Sequence, residues 1–243
     1  MTGWEQTPND LRLTPKYVDV WRTPLDLPKA AIEDFADMLS CAERERADRF
    51  CFEAKRNEYV IARGLLRRIL ARTVGIDPKC LVFTYGAHGK PALDQEWQGR
   101  TISFNVSHSH NVALVAVSIE RAVGVDVEQI KQNVECESLA QRFFSPNEWV
   151  QLMSLPKENR RQAFFNVWAR KEAFIKAVGK GISLGLDQFD VSLRPGEPAA
   201  LLATHWEAAE ASRWSMVDLE VGDEYTSALA IEGRNFTLRC WES

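Results

Sequence analysis

The chain of 243 residues carries one order of features twice. In the stretch 58–73, EYVIARGLLRRILART, Val60 or Ile61, Leu65, Ile69 and Thr73 recur at three- and four-residue spacing, and the pattern stops at Val74-Gly75. In 158–178, ENRRQAFFNVWARKEAFIKAV, the same period runs through Phe164, Val167, Phe174 or Ile175, and Val178, and stops before Gly179. This spacing predicts two long helices, each with a glycine just past its last turn. The echo extends outward: Arg49-Phe50 is answered by Arg142-Phe143, Ala62-Arg63 by Ala169-Arg170, and ALVAV (113–117) by ALAI (228–231). Order is kept while spacing drifts, which describes a diverged duplication of a unit of about 120 residues. Two such units place a functional site between them.

The elements around the helices alternate at period two. In SIERAVGVDVEQI, Val123, Val125 and Val127 face one way and Gly124, Asp126 and Glu128 the other, so one side of this strand is aliphatic and the other carries both carboxylates. NVALVAVSI just upstream is a second strand, and Glu120-Arg121-Ala122 is short enough to join the two as a hairpin. RWSMVDLEV, EYTSALAI and NFTLRCW add three strands, parted at Gly222-Asp223 and Gly233-Arg234. Ser40-x-x-Glu43 and Ser145-Pro146-Asn147-Glu148 have capping-box spacing and start shorter helices. The fold class expected is α+β, a pseudo-dimer of two similar halves, residues 1–120 and 121–243.

Several function classes are excluded early. With 45% hydrophobic and 26% charged residues the composition is that of a folded chain. The longest aliphatic stretch, 112–117, falls far short of the ~20 residues needed to cross a bilayer. The start, MTGWEQTPND, has neither the basic nor the apolar part of a secretory signal, so a soluble, cytoplasmic protein is expected. Five cysteines without a Cys-x-x-Cys pair argue against disulfides or a zinc clamp, and the four histidines lack zinc-protease spacing. The net charge of −4 falls wholly on residues 121–243, which disfavours nucleic acid as a partner. Nine basic residues between 43 and 72, among them Arg46 and Arg63, are open to two readings: a polyanion site, or a solvated helix face of ion pairs.

Four clusters can carry chemistry. Asp126 and Glu128 stand roughly 6–7 Å apart along one strand face, where two carboxylates can share a hard cation such as Mg²⁺, although an Asp-x-Glu alone is also a solvated strand face. Glu172 and Lys176 lie one helical turn apart, between Trp168, Phe174 and Ile175; a carboxylate partly buried there calls for a cation, while an exposed pair would be ordinary. In FNVSHSHN the hydroxyl of Ser107 and the imidazole of His108 can bind phosphate oxygens, and the surroundings are not those of a serine-nucleophile elbow. Lys90 sits in the glycine-bracketed loop 86–91, which lacks the full pattern of a nucleoside-triphosphate loop but can offer one ammonium to a phosphate.

In conjunction these pieces resemble the 4′-phosphopantetheinyl transferases, in particular the large single-chain, surfactin-synthetase-activating type. The matching segments are GKPAL (89–93), FNVSHS (104–109), VGVDVE (123–128), RFFSPNEW (142–149) and WARKEAFIKAVGKGI (168–182), in family order and spacing; the resemblance spans residues 40–190. It implies a pseudo-dimer with its site at the interface, coenzyme A contacts from the first half, and metal-binding and catalytic residues from the second. Carried over residue by residue, it makes Asp126, Glu128 and Glu172 the Mg²⁺ ligands, with Asp126 and Lys176 also against the coenzyme A pyrophosphate. Lys90, Ser107 and His108 match contacts on the 3′-phosphate and adenosine side, Arg46 another basic contact, and Arg63 an additional one. The reaction implied is attack of a serine hydroxyl of an apo acyl or peptidyl carrier protein on the β-phosphate of coenzyme A, releasing adenosine 3′,5′-bisphosphate. Glu172 would take the serine proton and Lys176 stabilise the leaving phosphate. A Mg²⁺-dependent phosphohydrolase and a coenzyme A-binding scaffold are the rival readings. The implied partners are coenzyme A and a carrier protein, with no nucleic acid and no membrane, and the protein is expected to be a monomer.

Overall fold

Both long helices form, and both have 22 residues: α3, Glu53–Val74, and α6, Lys157–Val178. Each ends on a left-handed glycine, Gly75 at φ 76° and Gly179 at φ 74°, whose amide closes the last turn onto Ala71 and Ile175 respectively. Left-handed backbone is open to glycine without a Cβ penalty, which is why the two helices stop there. α3 starts five residues before the expected Glu58, because 53–57 holds no helix breaker. In this computed structural model, which describes residues 3–94 and 96–243, the remaining elements fall in parallel series around the two helices.

The first series is β2 (Tyr17–Pro24), α1 (Lys29–Asp37), α2 (Cys41–Asp48), α3, β3 (Phe83–Tyr85), β4 (Pro91–Leu93), β5 (Ile102–Ser109) and β6 (Val112–Ile119). The second is β7 (Val123–Gln129), α4 (Cys136–Phe143), α5 (Pro146–Ser154), α6, β8 (Phe189–Val191), β9 (Leu201–Thr204), β10 (Trp214–Asp218) and β11 (Tyr225–Glu232). The sheet orders match as well: β2-β6-β5 in one half and β7-β11-β10 in the other. The α+β pseudo-dimer expected from the repeat is therefore present element by element. Both expected capping boxes, at Ser40 on α2 and Ser145 on α5, are formed in full.

The two sheets stack. Val18, Val20, Leu114 and Ala116 of the first meet Val123, Val125, Val127, Leu229 and Ile231 of the second in a shared apolar layer. α3 covers the outer face of the first sheet through Leu65, Leu66 and Ile69, and α6 covers the outer face of the second through Val167, Ala173 and Phe174. The order of layers is helix, sheet, sheet, helix. Among the described residues no helix is long and apolar enough to cross a membrane.

Two features depart from expectation. β6 and β7 do not form a hairpin: β6 pairs with β2 and β5, and β7 pairs with β11. The valine face of β7 is buried against the first sheet, so the chain must change layers after Ile119. It does so through Glu120 at φ 60°, and Arg121 ties the turn down by donating to the carbonyls of Pro15, Glu232 and Asn235. The last strand, β12 (Thr237–Glu242), leaves the second half and runs parallel to β2, between it and β1 (Glu5–Gln6), so the first sheet reads β1-β12-β2-β6-β5. Buried Asp19 holds it there, accepting from Arg239 at 2.7 Å and from the Trp241 indole at 2.7 Å.

Candidate active site

The site is assembled where α6 lies on β7. Gly124 starts the polar face of β7, and a Cβ built there would stand 2.1 Å from the Ala173 carbonyl and 2.3 Å from the Ala177 nitrogen. Only a residue without a side chain lets the helix touch the strand so closely. The next residues on that face, Asp126 and Glu128, consequently look toward Lys176 and Glu172. On the other side of β7 runs the edge strand β5, whose side chains replace a main-chain ladder. Asn105 Oδ1 accepts the Val125 N–H at 2.9 Å, Ser107 Oγ the Val127 N–H at 3.4 Å, and Ser109 Oγ the Gln129 N–H at 3.1 Å. Alternate residues of β5 thus satisfy the amides that the second sheet leaves open on its edge.

These elements enclose a cavity of about 420 Å³ lined by Val106, Ser107, His108, Asp126, Glu128, Trp168, Glu172 and Lys176. A second space of about 260 Å³ continues from it past Glu172 and Lys176 to His88, Lys90 and Pro91. A larger concavity of about 680 Å³ lies beside Arg170, but Arg170 is already paired with Asp218 at 2.7 Å and with the Ser192 carbonyl at 2.7 Å. The continuous pair at the α6–β7 contact gathers the titratable groups.

Its electrostatics are those of three carboxylates short of positive charge. Asp126 is 3% exposed; its Oδ1 accepts from Lys176 at 2.6 Å and from Ser107 at 2.8 Å, while its Oδ2 is buried with no partner among the described residues. Burial pushes its carboxyl above the usual range, against the pull of Lys176. Burial also raises Glu128 and Glu172, and in each the Asp126 charge adds to the rise. Among the described residues no three His, Cys, Asp or Glu side chains are gathered into a ready ligand set. Asp126, Glu128 and Glu172 share one cavity wall, with Lys176 drawn onto Asp126 between them, an arrangement that like-charge repulsion favours. An unpartnered buried carboxylate oxygen and an all-oxygen donor set facing one cavity fit a hard divalent cation such as Mg²⁺.

The other expected residues divide. Ser107 is in the site, donating to Asp126 and accepting from Lys176 at 3.0 Å. His108 lies on the cavity rim with Nε2 3.9 Å from Glu58, itself held by Lys55 at 2.7 Å; burial lowers the His108 pKa although Glu58 opposes it. Lys90 lines the second space, but its ammonium donates to the main-chain carbonyls of Ala177 at 2.8 Å and Val123 at 3.1 Å. Arg46 is exposed on α2 over the Tyr59 ring, 5.3 Å from its centroid, and lines neither space. Arg63 pairs with buried Glu43, as does Arg67, which is 2% exposed. The basic run 43–72 thereby divides: Arg63 and Arg67 are spent on an internal pair with Glu43, while Arg44, Arg46, Arg49, Lys55 and Arg72 are exposed, with Arg44 paired to Asp37 and Lys55 to Glu58.

Three contributors were not picked out from the sequence. Gly124 and Asn105 position β7, as described. Lys171, fully buried, pairs with Glu148 at 2.8 Å and donates to the Leu186 carbonyl at 2.6 Å and to that of Phe189. Glu148 also accepts the amides of Ser145 at 3.0 Å and Val191 at 2.9 Å, so one ion pair pins α5, β8 and α6 together directly behind Glu172. The signal was available: Lys171 stands four residues after Val167 and three before Phe174, on the apolar stripe itself.

Comparison with known proteins identifies the family. Residues 122–230 match the family described as the 4′-phosphopantetheinyl transferase superfamily, and residues 28–120 match the family described as 4′-phosphopantetheinyl transferase, N-terminal. The chain is 38% identical to the 4′-phosphopantetheinyl transferase HetI of Nostoc sp., over 98% of this chain and 97% of that one. It is 35% identical to the 4′-phosphopantetheinyl transferase psf-1 of Bacillus pumilus, over 76% and 78% of the two chains. With the 4′-phosphopantetheinyl transferase Sfp of Bacillus subtilis it shares 32% identity, over 66% and 69%. Since a relative this similar is matched from end to end and the two family matches cover both halves of the duplication, the chain belongs to the 4′-phosphopantetheinyl transferase family.

Proposed function

We propose that this protein moves the 4′-phosphopantetheine group of coenzyme A onto a serine hydroxyl of an apo acyl or peptidyl carrier protein, with Mg²⁺, leaving adenosine 3′,5′-bisphosphate. The observation that carries the reading is the meeting of Asp126 and Glu128 on β7 with Glu172 and Lys176 on α6 around one cavity. Asp126, Glu128 and Glu172 would hold the ion, which supplies charge neutralisation for a pyrophosphate. The residues of the chain do the rest. Lys176, freed from Asp126 when that carboxylate is otherwise neutralised, stabilises the charge gathering on the leaving phosphate. Glu172, whose carboxyl burial raises toward neutrality, accepts the serine proton directly or through water. Ser107 and His108 face the 3′-phosphate and adenosine side from the first half, and Arg46 lies farther out as a basic contact for the same anion.

This divides the labour between residues 1–120, which contribute to coenzyme A binding, and residues 121–243, which bring the metal-binding and catalytic groups. The two halves close their interface within one chain, so we assign a monomer, acting in the cytoplasm; light scattering after gel filtration reports the first. The test of function is incubation with apo carrier protein, coenzyme A and Mg²⁺, with and without chelator, read by intact-protein mass. Wild-type protein should load the carrier only when Mg²⁺ is present, and Asp126→Ala or Glu172→Ala should abolish loading while the protein stays folded. Carriers of unchanged mass across a broad panel would overturn the assignment.

A further inference from the structure

We infer that Lys90 is a positioning residue: from the first half of the chain it clasps α6 to β7 and so sets the distance between the catalytic helix and the carboxylate strand. This rests on the transferase reading, and it gives Lys90 a different task from the phosphate contact that its position in GKPAL suggests.

The geometry is specific. The Lys90 ammonium has two acceptors, the Ala177 carbonyl in the last turn of α6 at 2.8 Å and the Val123 carbonyl at the first residue of β7 at 3.1 Å. Last-turn carbonyls have no donor within their own helix, and the C-terminal end of a helix favours positive charge. Both conditions are met here by a cation from the opposite half. The aliphatic stem is fitted as well: a Cβ on Gly179, the residue that ends α6, would lie 3.1 Å from Lys90 Cδ, so the stem crosses directly over the helix terminus. Among the described residues no carboxylate stands among its partners, and burial alone lowers the ammonium to about 8.

What is clasped matters more than the clasp. Ala177 follows Lys176 directly, and Val123 lies three residues before Asp126. One ammonium therefore fixes, from outside, the gap that the 2.6 Å contact between Lys176 and Asp126 spans from within. On the same free edge of β7, Asn105 Oδ1 accepts the Val125 amide. The first half thus holds the strand of the second half at two successive points, and it holds the end of α6 through Lys90.

The test separates clasp from ligand. Lys90→Met keeps the stem and removes the donor. Binding of coenzyme A and of 3′-dephospho-coenzyme A to wild type and variant is measured by calorimetry, and kcat is measured on an apo carrier at saturating coenzyme A. A clasp predicts a kcat lower by about ten- to hundredfold, the scale of ångström misplacement, with the preference for coenzyme A over its dephospho form unchanged within about threefold. A 3′-phosphate ligand predicts collapse of that preference, and this result, with or without a fall in kcat, overturns the proposal; so does a variant with native kcat. Should Lys90→Met melt below the assay temperature, Lys90→Gln, which can still donate to one carbonyl, is read by the same ratio and the same kcat. Failure of the wild-type enzyme to load any carrier would instead indict the functional reading.

Discussion

Replacing Gly124 by alanine should disable the enzyme through a single methyl group. The new Cβ would fall 2.1 Å from the Ala173 carbonyl oxygen and 2.9 Å from the Ala177 Cα, against an ordinary contact of at least 3.4 Å. β7 cannot retreat, since Val123, Val125 and Val127 on its other face are buried in the layer between the sheets. α6 must therefore move outward by about 1 Å. Overpacking of this kind costs about 1–3 kcal/mol of stability. The kinetic effect should be larger than the thermal one. Lys176 is 2.6 Å from Asp126, so the same shift carries it beyond hydrogen-bond range and withdraws Glu172 with it. A displacement of that size in a reacting constellation lowers rates by about a hundredfold, equivalent to ~2.7 kcal/mol in the barrier. The assay is steady-state loading of an apo carrier at saturating coenzyme A, alongside a urea melt. The control is Gly75→Ala, where a Cβ meets nothing within 4 Å and only the left-handed backbone objects; it should lose about 1 kcal/mol of stability and no kcat. Gly124→Ala with kcat within threefold of wild type would refute the argument that helix and strand are set by direct contact.

Three further outcomes follow from the same geometry. Asp126, Glu128 and Glu172 all titrate above their usual range because they are buried together, so in the folded state they bind protons more readily than in the unfolded state. Stability should then fall as pH rises through their folded values, opposite in sign to the Glu43 pair, whose lowered carboxyl loses its contribution only as pH falls below the usual glutamate value. With chelator present the melting temperature should fall as pH is raised above the usual carboxylate range, and Mg²⁺ should offset that fall; a melting point blind to both would count against the cluster. Lys171→Ala strands Glu148 in an apolar interior and should cost about 3–5 kcal/mol on urea melting, much of it recovered when Glu148→Gln is added. Trp168 is half-buried, packed on Phe143 and Phe164 at ring-centroid distances of 6.2 and 5.7 Å, so Trp168→Ala should cost about 2 kcal/mol, less than a fully buried ring; a loss under about 0.5 kcal/mol would show the ring to be packed on nothing.

Periodicity carried the fold a long way. The two helices, their glycine stops and the capping boxes are local properties, written in residues that sit beside one another in the chain. The path of the strands is not local. Nothing in Glu120-Arg121-Ala122 says that the next strand enters a second layer, because that outcome depends on Val18 and Val20 offering an apolar face a hundred residues earlier. The site shows the same division. The spacing of Asp126 with Glu128, and of Glu172 with Lys176, puts each pair on one face of its own element, but that the two faces meet depends on the missing side chain of Gly124. Arg46 and Arg63 show the converse: the sequence displays their charge, while only the fold reveals that Arg63 is committed to Glu43 and that Arg46 points over a tyrosine.

The return of the last strand ties the beginning of the molecule to its end. Until Thr237–Glu242 has been made, β2 has no neighbour on one side and Asp19 is a buried carboxylate lacking both the guanidinium and the indole that hold it. The first half of the duplication therefore cannot complete its sheet during synthesis ahead of the second, because β12 follows the whole of the second half in the chain. Severing the two repeats into separate proteins would leave the first with a gap in its sheet, between β1 and β2.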